Sequence, residues 1–226
     1  MDKVCLINQP VGLGDIIFCQ KIGQYYYDKG YEIIWPVSDV YLEDVKYYID
    51  SPFKFIKTGS QLPKSDVCLK LDGSKLPDKM IMESKYIVAN VPYRGDWINY
   101  FNVNRNYEKE HSLFKELGLS DGEKYVLYNF NYASPPNSVR MSTDFKNNDI
   151  KQIELKFIKG YSLFDWIKVI ENAYEICTTD CALTFLIEKF KTNKTKQLTM
   201  ISRRPTFDEI EYMYSLDWDY VVGKRI

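Results

Sequence analysis

Four apolar residues, Val4-Cys5-Leu6-Ile7, run directly into Asn8-Gln9-Pro10-Val11-Gly12-Leu13-Gly14-Asp15-Ile16-Ile17, and no other stretch constrains the fold as much. A short buried strand is followed by a turn carrying two glycines and then by an apolar-periodic helix. Such a junction offers backbone N–H groups and a helix N-terminus to an anionic or polar ligand. The helix is expected over 16–29, with Ile16, Phe18, Cys19, Ile22, Tyr25 and Tyr26 on its apolar face and Gly30 as its stop. A second strand over 31–35 completes a βαβ unit, which implies parallel pairing and a right-handed crossover.

The alternation continues downstream. A helix is expected over 42–49 and strands over 53–57, 67–71 and 86–91. A highly charged helix over 107–117 ends at Gly118, and Ser120-Asp121-Gly122 marks a domain boundary. A second series then begins: a strand over 125–129, a long polar loop over 133–148, and strands over 153–158, 174–177, 197–201 and 220–222. Helices fill the gaps, one opened by the capping-box pattern Ser162-Leu163-Phe164-Asp165, one over 181–190 and one over 206–215. The expected class is α/β, with two small Rossmann-like halves at 1–119 and 120–226 in a doubly wound arrangement. The natural ligand position in such folds is the crevice at the carboxyl ends of the strands.

Bulk properties narrow the function. Lys plus Arg (30) nearly balance Asp plus Glu (31), so no global basic field argues for nucleic acid or an anionic membrane. No apolar run reaches the roughly 20 residues of a membrane span. Five cysteines, Cys5, Cys19, Cys68, Cys177 and Cys181, form an odd set lying partly in apolar runs, which with no N-terminal signal peptide points to a reducing, cytoplasmic compartment. Cys177 and Cys181 lack a second pair, and His111 is the sole histidine, so a structural zinc site is not expected. The abundance of Tyr, Lys, Asn and Ile fits an A+T-rich coding genome and, with it, a virus-encoded protein of the host cytoplasm.

Familiar nucleotide motifs fail on inspection. Gly12-Leu13-Gly14 starts like a dinucleotide fingerprint, but Ile17 stands at the third glycine position and Trp35-Pro36 replaces the ribose-binding acid. No Gly-Lys-Ser/Thr follows to make a phosphate loop. Asp217-Trp218-Asp219 imitates a metal-binding Asp-x-Asp, yet it precedes the final strand and reads as a turn.

Val11-Gly12-Leu13-Gly14-Asp15-Ile16-Ile17 resembles the N-terminal signature of GT-B glycosyltransferases of the heptosyltransferase-like family, glycosyltransferase family 9. The likeness carries over to Gly14 and Asp15, and it implies that Asp15 is a general base. Thr178-Thr179-Asp180-Cys181-Ala182-Leu183-Thr184-Phe185 resembles the family's Asp-Thr-Gly donor-binding turn. Asp180 matches, while Cys181, Ala182 and Phe185 replace threonine, glycine and histidine. The resemblance implies a GT-B-like architecture and an inverting, metal-independent transfer of a sugar from a nucleotide-diphosphate donor to a glycan or glycoconjugate acceptor. No cofactor beyond the donor substrate is expected.

Candidate residues follow by position. Gly12, Gly14, Asn129, Asn131, Ser134, Arg140, Tyr161, Ser162, Thr179, Asp180, Cys181 and Ala182 form the expected donor-binding set, with Arg140 suited to bidentate diphosphate recognition. Arg94, Asp96 and Trp97, an aromatic flanked by charges, form the expected acceptor-binding set. Each has a plainer reading: Asp15 and Asp180 as helix caps, the Asn129–Arg140 stretch as a solvated loop, Ser162 as a cap, and Trp97 as a residue packed under its loop. A non-catalytic nucleotide-sugar-binding module of a larger assembly is the alternative function. A GT-B-shaped epimerase is a third, which would need a catalytic histidine, and His111 lies in a charged helix.

Overall fold

In a computed structural model, residues 3–73, 76–77, 79–132, 139–142, 150–203, 207 and 211–225 are described. The chain divides into two compact units, Met1–Asn104 and Arg105–Ile226.

The first unit contains β1 (Lys3–Asn8), α1 (Leu13–Phe18), α2 (Gln20–Tyr27), β2 (Tyr31–Val37), α3 (Asp39–Tyr48), β3 (Lys54–Lys57), β4 (Val67–Lys70) and α4 (Ile81–Val88). Its sheet runs β3-β2-β1-β4, and every pairing is parallel. Continuous apolar runs suit strands covered on both faces. Trp35 of β2 is fully buried, with its ring 6.2 Å from Phe53 and 5.8 Å from Phe55. A Cβ on Gly23 would collide with the Phe53 ring, so the missing side chain is what lets α2 lie this close.

The expected helix over 16–29 is two helices. It starts earlier, at Leu13, and breaks at Cys19, where Gln20 Nε2 donates to Ile16 O at 2.9 Å in competition with the helical ladder. The expected strand over 86–91 is a correction: residues 81–88 form α4. A short apolar run does not distinguish strand from buried helix, and here Ser84 Oγ donates to Met80 O within the helical turn while Tyr86 enters the core beside Phe18.

The second unit contains α5 (Tyr107–Glu116), β5 (Tyr125–Asn129), β6 (Asn131–Tyr132), β7 (Val139–Ser142), β8 (Lys151–Glu154), α6 (Ile167–Asn172), β9 (Glu175–Thr179), α7 (Ala182–Phe190), β10 (Gln197–Ser202), β11 (Asp219–Val222) and β12 (Lys224–Arg225). A five-stranded parallel sheet runs β11-β10-β9-β5-β8, and a small antiparallel sheet runs β12-β7-β6. Arg105 ties α5 to α6 by pairing with both Glu110 and Glu171, so the compact division falls before α5 rather than after it.

The loop expected over 133–148 contains strand β7; its remaining residues lie outside those described. Residues 206 and 208–210 of the expected helix over 206–215 also lie outside those described, and a 3-10 turn at Glu211–Met213 is seen in the rest. Ser162 caps a 3-10 turn over Leu163–Trp166 through a full capping box with Asp165, as its sequence pattern implies.

Candidate functional site

In the first unit the glycine turn closes on a buried polar cluster at the carboxyl ends of β1 and β4. Gly12 is the N-cap of α1, with φ +79°, and its carbonyl accepts from Ile16 N at 3.0 Å. Asp15 therefore sits in the first turn of the helix and is not its cap. A Cβ on Gly12 would strike Asp15 Oδ2, so only glycine leaves this carboxylate its place. Gly14 is the second residue of α1.

Beneath Asp15 lies Lys85 of α4, 2% exposed, an unusual location for an ammonium. Its Nζ donates to Gln9 Oε1 at 2.5 Å and to Leu71 O at 2.9 Å, and pairs with Asp15 Oδ1 at 3.1 Å. Gln9 is held in turn: its Nε2 donates to Val11 O at 2.7 Å, and Trp35 Nε1 donates to its carbonyl at 3.0 Å. Asp15 keeps 34% of its side chain exposed. Burial raises the Asp15 carboxyl above its ordinary value, while the Lys85 charge and hydrogen bond and the residue's own N–H work in the opposite sense. The result is an ionisable carboxylate with strengthened basicity and one oxygen fixed.

The proposed acceptor residues divide. Arg94 is exposed. Asp96 pairs with Lys21 Nζ at 2.5 Å, and the same ammonium donates to Pro92 O at 2.9 Å. Trp97 is 2% exposed and packs against Phe18, with centroids 6.0 Å apart. The acceptor-binding role expected for Trp97 is therefore corrected to a core role, because the buried indole is not open to a sugar.

In the second unit, Asn129 at the end of β5 is buried and brackets two strand ends. Its Nδ2 reaches Asn131 O at 2.9 Å and Cys181 Sγ at 3.2 Å, and its Oδ1 accepts from Asn131 N at 3.2 Å. Thr179 Oγ1 also donates to Asn131 O, at 2.9 Å. Cys181, not Asp180, is the N-cap of α7, with Ala182 the first helical residue. Burial pushes the Cys181 thiol up, which disfavours the reactive thiolate.

Asp180 is 5% exposed, and each carboxylate oxygen is engaged. Oδ2 accepts from Arg203 at 2.7 Å and Oδ1 from Tyr214 Oη at 2.7 Å. The cap reading of Asp180 is thereby replaced by a bracket role. Arg140 of β7 pairs with Glu154 Oε1 at 2.8 Å and is exposed. Tyr161 borders an open cavity of about 430 Å³ with Lys109, Glu116 and Lys159, next to the Ser162 cap. Ser134 lies outside the described residues.

Sequence reasoning did not find Lys85, Arg203 or Tyr214. Arg203 directly follows β10, at a strand's carboxyl end, and that position was a readable signal. Its guanidinium lies 4.8 Å over the Tyr132 ring, and its buried Nε has no hydrogen-bond partner among the described residues. His111 contacts Lys168 Nζ through Nδ1 at 3.1 Å, and the same ammonium pairs with Asp121 Oδ1 at 3.4 Å. Among the described residues no group of three His, Cys, Asp or Glu side chains is arranged to hold a metal ion. No described helix is long and apolar enough to cross a membrane.

No protein-family model and no curated protein matches the sequence. Solved structures do match. A glycosyl transferase of family 9 from Veillonella parvula superposes with a TM-score of 0.61 at 9% identity, covering 97% of this chain and 86% of that one. ADP-heptose lipopolysaccharide heptosyltransferase II of E. coli gives 0.51 at 8% identity, covering 97% and 90%. The dodecameric iron-containing heptosyltransferase TibC of enterotoxigenic E. coli, in complex with ADP-D-β-D-heptose, gives 0.54 at 9% identity, covering 89% of this chain and 58% of its own. By structure, this chain has the mixed α/β, GT-B-type fold of family 9 glycosyltransferases.

Proposed function

We propose that this chain is an inverting glycosyltransferase that moves a sugar from a nucleotide-diphosphate donor to an acceptor hydroxyl without a metal ion. The observation that carries the reading is Asp15: a partly exposed carboxylate at the carboxyl end of a parallel sheet, its basicity raised by burial, on a fold shared with sugar transferases. A general base must be ionised yet basic enough to take a hydroxyl proton, and this balance of burial against a buried ammonium supplies both.

In the proposed reaction the acceptor oxygen attacks the anomeric carbon as the bond from that carbon to the diphosphate breaks. The acceptor proton passes to Asp15 Oδ2, and the bonding pair leaves with the nucleoside diphosphate. On the second unit, the first-turn N–H groups of α7 and the Arg203 guanidinium are the groups suited to hold a nucleoside diphosphate. Arg140, like Arg203, is paired with a carboxylate, but it stands exposed on β7 instead of at the carboxyl end of a parallel strand, and it contributes less. The TibC complex makes ADP-heptose the first donor to try. Five free cysteines favour action in a reducing compartment.

The test is a thermal-shift panel of UDP, GDP, ADP, CMP and dTDP, with and without EDTA, followed by turnover assays with the matching sugars. A shift from one nucleotide that survives EDTA supports the reading, since a ligand of the folded state alone stabilises it by RT ln(1 + [L]/Kd). No shift with any nucleotide and no donor consumption would overturn it.

A further inference from the structure

The cluster around Asp15 contains a charge that general-base chemistry alone does not require. Lys85 projects from α4 to the carboxyl ends of β1 and β4, and three oxygens from three segments converge on its Nζ: Gln9 Oε1, Leu71 O and Asp15 Oδ1. Two of these acceptors are neutral and lie inside the fold, so the ammonium is anchored independently of Asp15. An ammonium buried this deeply is retained only with excellent hydrogen bonding and an anionic partner, and the anion here, Asp15, also reaches solvent. Anchoring fixes where the charge sits, and the charge then fixes Oδ1.

We propose that Lys85 is the positioning residue of this site: its buried ammonium clamps Oδ1 of Asp15, leaving Oδ2, beside Gly12, as the oxygen that faces the acceptor hydroxyl. This rests on the reading of Asp15 as the base. When Oδ2 takes the proton, Lys85 stays charged and bonded to Oδ1, so the acid formed keeps its orientation and can release the proton to water for the next cycle. The other charged or titratable groups facing Asp15 among the described residues are Asp72 after β4, Tyr41 of α3 and Cys19 at the junction of α1 and α2. Of these groups, Lys85 alone is a cation, so its removal has a definite sign.

The experiment is carbon-detected NMR titration of carboxyl-labelled protein, with the Asp15 signal assigned by its loss in Asp15→Asn, together with pH–rate profiles. Lys85→Met keeps the length of the stem and removes the charge. In that variant the Asp15 titration moves up by about one to three pH units, and the acidic limb of kcat moves with it. At the same time kcat falls about 10- to 100-fold and the donor KM is unchanged. An Asp15 that titrates at the wild-type pH, or a loss of kcat with an unmoved limb, would overturn the proposal. Should Lys85→Met fail to fold, the wild-type ammonium itself is the probe. Its 15Nζ resonance is expected to track the Asp15 titration in wild type and to stop doing so in Asp15→Asn; a resonance indifferent to both would overturn the proposal. An inactive wild type with this coupling intact defeats the transferase reading alone, while an active wild type without it defeats the role of Lys85 alone.

Discussion

Asp180 and Arg203 form one bracket, with the Arg203 guanidinium donating to Asp180 Oδ2 at 2.7 Å while Tyr214 occupies Oδ1. The carboxylate expected in the donor-binding set is thus used to hold a cation beside the opening of α7. Arg203→Met is expected to weaken nucleoside diphosphate binding about tenfold or more, the scale of one charged hydrogen bond. Arg140→Met is expected to change it little. Isothermal calorimetry with the nucleotide identified by thermal shift measures both, and equal losses in the two variants would contradict this assignment. Asp180→Ala leaves Arg203 and Tyr214 without their acceptor and is expected to cost about 2–3 kcal/mol in urea unfolding.

Trp97 makes a sharper case for a core role. Its ring is buried against Phe18, so Trp97→Ala should lose about 3–5 kcal/mol of stability. Trp97→Phe should leave the acceptor KM unaltered. A stable Trp97→Ala protein with a raised acceptor KM would restore the acceptor-binding role.

At Gly12 two effects coincide. Its φ of +79° is strained for any side chain, and a Cβ would displace the Asp15 carboxylate. Gly12→Ala should therefore lose about 1–3 kcal/mol and also depress turnover. A purely conformational role would lower stability and spare kcat, so the two readouts separate the effects.

The raised Asp15 carboxyl has a signed consequence for stability. The native state holds this proton more tightly than the unfolded chain, so the contribution of Asp15 is fully present below its ordinary value of 3.8 and is lost as pH rises through the higher folded value. Asp15→Asn does not titrate at this position. The Tm of the variant relative to wild type should therefore increase from pH 3.5 towards neutrality; a difference that stays flat or shrinks would show that burial does not dominate at Asp15. A carboxylate kept at a cost to stability is what a functional site leads one to expect.

Much of the fold is legible locally. Strands β1, β2, β5, β9 and β10 are apolar runs bounded by turn residues, and Gly30 and Gly118 end helices where their positive φ is needed. The glycine turn and Asp15 are readable for the same reason, because strand, turn and helix are contiguous. What fails is non-local. Segment 81–88 is too short and too apolar for periodicity to decide, and its helix is settled by packing of Tyr86 on Phe18. Lys85 looks like any surface lysine until Gln9 and Leu71, 76 and 14 residues away, close around it. Asp180 looks like a cap until partners 23 and 34 residues downstream take both its oxygens. Burial of charge is a tertiary property, and pattern reading does not reach it.

The most direct test is Asp15→Asn, measured for donor affinity by calorimetry and for transfer in a coupled assay with the nucleotide sugar that binds wild type. The amide keeps the shape of the side chain and an oxygen for Lys85, but it cannot take a proton at neutral pH. Donor Kd within about twofold of wild type with kcat reduced by about 10²- to 10⁴-fold is the predicted result. Retained turnover, or loss of donor binding alone, would contradict a general-base role for Asp15.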